Sequence, residues 1–145
     1  MRALLQRVSE ASVSVDGRVI GSIDQGLLVF LGVTPDDGSE QIDWLVDKIL
    51  GLRIFPDENK PMNRSVVDVA GGVLVVSQFT LAADTSRGRR PGFSTAAPPE
   101  LAEKLYEEFL ARMRALHPLV EAGSFGADMQ VALVNDGPVT FLLEV

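Results

Sequence analysis

Ala11-Ser12-Val13-Ser14-Val15-Asp16-Gly17-Arg18 decides how the first third of the chain folds. Ala11, Val13 and Val15 alternate with Ser12 and Ser14, the period of a strand with one buried face. Asp16-Gly17 then suits a two-residue hairpin, because both residue types tolerate positive φ. A return strand is predicted over residues 18–23. Upstream, residues 2–8 read as a strand. Downstream, Gly26 introduces Leu27-Leu28-Val29-Phe30-Leu31, long enough for a central strand and too short for a typical helix. The opening third is therefore a β-meander.

Ser39 fits an N-cap, followed by Ile42, Leu45, Val46 and Ile49 at helical spacing and by Gly51 near the stop. Leu52-Arg53-Ile54-Phe55 reads as a further short strand, and the proline- and asparagine-containing segment 56–64 as a loop. Val73-Leu74-Val75-Val76 leads into Ser77 as a core strand. Pro98-Pro99-Glu100 opens a second helix whose Leu101, Leu105, Phe109 and Met113 share a face, ending before Pro118. Two last strands, at 128–135 and 139–145, flank Gly137-Pro138. Roughly seven or eight strands and two main helices, without strict βαβ alternation, predict an α+β domain on a largely antiparallel, barrel-like sheet. Its exposed strand edges call for cover, which a symmetric homodimer supplies.

At 145 residues a single domain, 1–145, is expected, burying roughly 70% of the unfolded chain's surface. No apolar run approaches the roughly 18 residues of a membrane span. Met1-Arg2-Ala3-Leu4-Leu5 starts like a strand and not like a secretory signal, so a soluble cytoplasmic protein is the expectation. The chain has no cysteine, which excludes disulfides, thiolate nucleophiles and cysteine-based zinc sites. Its one histidine, His117, precedes Pro118 at a helix end, where a capping or surface role is expected. The acidic residues show no metal-ligand spacing, and no metal or cofactor is implied. A net charge of −7 argues against a protein that coats nucleic acid non-specifically. Arg87, Arg89 and Arg90 nevertheless form a compact cationic patch; on charge alone it reads equally as a solvated loop.

Two segments place polar or conformationally special residues against apolar runs: Ser77-Gln78-Phe79-Thr80-Leu81 and Asn135-Asp136-Gly137-Pro138-Val139-Thr140. Ordinary strand ends have this mix too. If the strand continues through the first segment, Ser77 and Phe79 face one way and Gln78 and Thr80 the other. Where it loses its pairing partner near Phe79 and Thr80, their N–H groups become free donors for an oxyanion. Such donors need no tuned pKa, and Asp136 is the only titratable side chain in either segment. Thr80 is open to three readings: a nucleophile lacking an evident base, an orienting hydroxyl, or a plain strand residue.

These two segments resemble the signature motifs of the D-aminoacyl-tRNA deacylases. The resemblance extends to Gln6-Arg7-Val8 with Ala11-Ser12-Val13, Gly26-Leu27-Leu28-Val29, Leu52-Arg53-Ile54-Phe55, Met62-Asn63, Ala82-Ala83-Asp84, Arg90-Pro91-Gly92-Phe93 and Gly123-Ser124-Phe125-Gly126-Ala127. It implies a deacylase-type fold and a cytoplasmic homodimer that hydrolyses the ester joining a D-amino acid to the terminal adenosine of tRNA, with no cofactor. It implies that Gly137-Pro138 is cis and crosses to the partner's pocket. There its carbonyls hold the substrate's α-amino group and leave no room for an L side chain. By the same resemblance Ser77, Gln78, Phe79 and Thr80 line the reacting ester, with the Phe79 and Thr80 amides on the oxyanion and the ribose 2′-hydroxyl organising water. Phe125 and Met129 join the substrate site, Arg7 braces the Gly-Pro motif, and Arg87, Arg89 and Arg90 meet the acceptor end. Exclusion of a side chain cannot reject glycine, so activity on glycyl-tRNA(Ala) is also implied.

Two positions depart from the family pattern. Lys60-Pro61 stands where Gly-Lys is more usual, and Gly92 where serine is. Two other functions use the same residues: a non-catalytic dimeric module that binds an RNA end or an amino acid, and a general esterase or peptidase acting through Thr80.

Overall fold

The computed structural model describes all residues, 1–145. Strand β1 (Arg2–Val15) turns at Asp16 and Gly17, both at positive φ, into β2 (Arg18–Ile23), and β3 (Gly26–Gly32) completes the meander. Helix α1 (Ser39–Gly51), β4 (Gly72–Ser77), a 3₁₀ turn (Phe79–Ala82), α2 (Pro99–Leu116), β5 (Val120–Ala122) and β6 (Gln130–Glu144) follow.

The sheet is mixed. β1 pairs antiparallel with β3 through residues 2–8, with β2 through 11–15, and along its other edge with β6. β3–β4 and β4–β5 are parallel. β2 folds over to lie against β4 and β5, so the sheet nearly closes on itself. At that closure a Cβ on Gly21 would stand only 3.0 Å from the Ala122 carbonyl. Gly26 and Gly72 face each other in the β3–β4 register, and a Cβ on Gly26 would fall 1.9 Å from the Gly72 carbonyl oxygen. Only glycine permits that approach.

The apolar runs of β3 and β4 are buried on both faces, as continuous hydrophobic strands require. Leu27, Val29, Leu31, Val73 and Val75 meet the helices, whose Ile42, Leu45, Val46, Ile49, Leu105, Phe109 and Met113 complete the larger core. Leu28, Leu74 and Val76 point the other way, into a smaller cluster with Val8, Ala11, Val13 and Ile23.

Several expectations are corrected. There are six strands, because residues 2–15 form one long strand and β6 is continuous where two strands were expected. β6 keeps β1 as its partner on both sides of Gly137-Pro138, so that motif is a bulge and not a chain reversal. Leu52–Phe55 makes a single bridge, Phe55 to Arg64, and no strand. The short strand β5 is too brief to leave a periodic signal. Gly38, not Ser39, caps α1; Gln41 Oε1 accepts from the Gly38 N–H at 2.8 Å, and the Ser39 hydroxyl bonds Glu108 on α2 instead. His117 is not at the surface. It occupies the C-cap of α2 but is 4% exposed, its Nε2 2.7 Å from the Gly71 carbonyl.

Tyr106 joins α2 to the sheet, its hydroxyl donating to the Val75 carbonyl at 3.1 Å. Burial pushes its pKa up from 10.0 to about 12, since the phenolate would lose hydration. The stabilising contribution is therefore complete below pH 10 and is lost as pH rises through about 12, because the unfolded chain releases the proton first. In urea titrations across this window, wild type should lose stability more steeply than Tyr106→Phe; parallel profiles would contradict the assignment.

Candidate active site

β4 delivers its last residue, Ser77, to the C-terminal edge of the parallel strands, and the Gln78 N–H makes a last rung to the Leu31 carbonyl at 2.8 Å. The chain then tightens into the 3₁₀ turn, held by Leu81 N–H to Gln78 O at 3.2 Å and Ala83 N–H to Thr80 O at 3.1 Å. The alternation expected through Ser77–Thr80 therefore stops at Ser77. The first N–H groups of a helical turn have no partner within it, and the Phe79 and Thr80 amides donate no hydrogen bond at all. Arg2, which no motif singles out, fixes the turn from across the sheet through Nη1 to the Leu81 carbonyl at 2.6 Å.

Beside this turn is a cavity of about 440 Å³. Ser77, Gln78 and Phe79 form one wall, Pro99 and Ala102 of the first turns of α2 a second, and Phe125 to Met129 a third. Phe125 is positioned from beneath by Tyr106, with ring centroids 5.8 Å apart. Thr80 adjoins the wall and receives a hydrogen bond on its hydroxyl from Gln78 Nε2. No base contacts that hydroxyl. Asp128 is the only ionisable residue lining the cavity, and no sequence motif distinguished it. A pocket with this lining offers apolar contact, amide donors and one carboxylate.

The structure does not bring Gly137 and Pro138 to this cavity within one chain. They lie in the β6 bulge, where Asp136 to Val139 stand opposite the single residue Arg7. Both are exposed, and the peptide between them is cis. The bulge is tied at its base by Asn135 Oδ1, which accepts from the Val139 N–H at 3.0 Å, and by Asn135 Nδ2, which donates to Thr140 Oγ1 at 2.9 Å. Arg7, largely buried, forks beneath it: Nε donates to the Asp136 carbonyl at 3.0 Å and Nη1 to the Ile54 carbonyl at 2.7 Å. The planar guanidinium suits two such acceptors at once.

Arg87, Arg89 and Arg90 lie outside the cavity lining, on an exposed loop whose ends are pinned by the reciprocal Asp84–Gly92 bridge. Hydrogen bonds from the Ser86 side chain and backbone hold the Asp84 carboxyl below the usual range. None of the three arginines forms an ion pair. Lys60 and Pro61 are exposed in a separate turn, where Asp57 accepts from the Lys60 N–H at 2.8 Å.

Comparison with known proteins supplies the class that fold and cavity leave open, a hydrolase of the deacylase type. Residues 4–144 match the family model described as D-Tyr-tRNA(Tyr) deacylase, and the chain belongs to that family. A D-aminoacyl-tRNA deacylase of Exiguobacterium sibiricum is 60% identical over 144 residues, covering 99% of each chain. One from Pseudomonas putida (strain F1) is 59% identical over the full length of both. Among solved structures, the c-Myc DNA Unwinding Element Binding Protein superposes with a TM-score of 0.95 at 43% identity, covering 100% of this chain and 99% of its own. A probable eukaryotic D-amino acid tRNA deacylase shares the fold, with a TM-score of 0.89 at 17% identity over 99% of this chain and 98% of its own.

Replacing Arg7 by Leu removes both donors and leaves two carbonyls short of a partner. Urea denaturation should show a loss of about 1–3 kcal/mol for the buried Ile54 carbonyl left unsatisfied, with the Asp136 carbonyl in the exposed bulge turning to water and faster amide exchange at Val139. Unchanged stability and exchange would show that the bulge holds itself.

Proposed function

We propose that residues 1–145 act as one domain that hydrolyses the ester of D-aminoacyl-tRNA, releasing free D-amino acid and tRNA as a proofreading step in translation. The observation that carries this reading is the pair of adjacent, unpartnered amides at Phe79 and Thr80 beside an otherwise nearly unionisable cavity. An aminoacyl ester is already activated, so its hydrolysis asks chiefly for stabilisation of the tetrahedral oxyanion. Two main-chain donors supply that, at about 3–4 kcal/mol per donor. The ribose 2′-hydroxyl of the substrate organises the attacking water, and Ser77 and Gln78 line the reacting group.

The working unit in this reading is a homodimer in the cytoplasm. The Gly137–Pro138 bulge, braced by Arg7, enters the partner subunit's cavity, where its carbonyls take the α-amino group and its backbone closes the space an L side chain needs. The bulge is exposed and contributes nothing to the lining of its own cavity, which supports the crossing arrangement. Phe125 and Met129 seat the terminal adenosine, and Arg87, Arg89 and Arg90 face the acceptor strand. No helix of the chain is long and apolar enough to cross a membrane. Because glycine offers nothing to exclude, glycyl-tRNA(Ala) is also a substrate.

Release of free amino acid from D-tyrosyl-, L-tyrosyl- and glycyl-tRNA by the purified protein tests the reading directly. D-Tyrosyl- and glycyl-tRNA should be cleared and L-tyrosyl-tRNA spared; binding without turnover would make the protein a non-catalytic module, and an intact glycyl ester would refute selection by exclusion. Thr80→Ala should keep activity within about tenfold, the scale of one neutral hydrogen bond. Loss to the buffer rate, together with wild-type cleavage of simple esters, would instead establish Thr80 as the nucleophile of a general esterase.

A further inference from the structure

Phe79 and Phe93 form a tilted pair outside the core, with ring centroids 5.0 Å apart and planes inclined at 56°. Aromatic pairs usually stabilise by being buried, yet these rings are 55% and 42% exposed. The surrounding chain holds them there. Phe79 opens the 3₁₀ turn and lines the cavity. Phe93 directly follows Gly92, whose N–H and carbonyl both bond Asp84, at 2.9 and 2.8 Å. The same bridge closes the loop carrying Arg87, Arg89 and Arg90, so three guanidinium groups without ion pairs and two exposed aromatic residues share one scaffold, which meets the cavity at Phe79. On a protein of net charge −7 this is a local exception.

Open aromatic faces beside unpaired cations are the means by which proteins hold single-stranded nucleic acid, with bases stacked on rings and phosphates against the cations. We propose that Phe79 and Phe93 form a stacking platform for the base of the nucleotide adjoining the terminal adenosine of the acceptor strand, with the phosphates on its 5′ side taken by Arg87, Arg89 and Arg90. The inference rests on the deacylase reading, because a terminal adenosine seated in the cavity leaves its 5′ neighbour at the rim. It adds Phe93, which no part of that reading uses.

The test compares kcat/KM for D-tyrosyl-tRNA with kcat/KM for D-tyrosyl-adenosine, which lacks the neighbouring nucleotide, in wild type, Phe93→Ala and Phe93→Trp at one salt concentration. The preference for the tRNA-linked substrate should fall about 5- to 150-fold in Phe93→Ala, the range for loss of one base stack. The fall should reside in KM and be restored in Phe93→Trp. In parallel, titrating Phe93→Trp with the trinucleotide cytidylyl-cytidylyl-adenosine should quench fluorescence beyond the response to adenosine alone. An unaltered preference in Phe93→Ala, or equal quenching by the two ligands, overturns the platform. So does a change in sedimentation showing that Phe93→Ala dissociates a dimer, which would assign the rings to a subunit interface. A wild type inert on both esters would refute the deacylase reading, while the quenching experiment would still decide the platform.

Discussion

β1 is hydrogen-bonded along both edges, and the rest of the molecule is arranged around that constraint. One side is shared between β3 and β2, and the other belongs to β6. A strand committed on both sides cannot slip by one residue without turning Leu5, Arg7 and Val13 away from their buried surroundings. β3, so positioned, brings β4 alongside in parallel, and the Gly26–Gly72 contact sets how closely the two strands approach. The end of β4, and with it the cavity, is thereby fixed relative to the first strand of the chain.

The same pairing explains why the two polar segments lie apart. The Ser77–Thr80 segment leaves the sheet after β4, on the side covered by α2, whereas the Asn135–Thr140 segment bulges from β6 on the far side of β1. Arg7 spans part of this separation by holding carbonyls from two segments, Ile54 and Asp136, with one rigid group. A lysine ammonium would bring the charge without the planar fork. The bulge is therefore held from beneath and at its base, although its tip faces solvent.

Much of this was legible in the residues. The Ala11–Val15 alternation and Asp16-Gly17 specified the hairpin, and the spacing of Leu105, Phe109 and Met113 specified the buried face of α2. What escaped reading depended on contacts distant in sequence. β1 and β6 are single strands because each keeps a partner through its irregularity, which no local pattern encodes. His117 is buried because the end of α2 docks on the turn before β4, and the helix alone cannot reveal that. At the site, Phe125 and Met129 were named only through the family resemblance, and the cavity brings them beside Ser77 to Phe79, while Arg2 and Asp128 acquire significance only through tertiary proximity. The side-chain alternation expected through Thr80 failed because a 3₁₀ turn replaces the strand after Ser77.

The unpartnered amides at Phe79 and Thr80 also shape the genetics of the site. A main-chain N–H survives replacement of its side chain by any residue except proline, which alone lacks the donor. Missense changes at Thr80 and Leu81 should thus spare these donors unless they install proline or release the grip of Arg2 on the Leu81 carbonyl, whereas a non-proline change at Phe79 keeps the donor and loses only the ring. In the proposed reaction the vulnerable alleles map to the residues that shape this backbone, and a search for the usual polar catalytic side chains would pass over them.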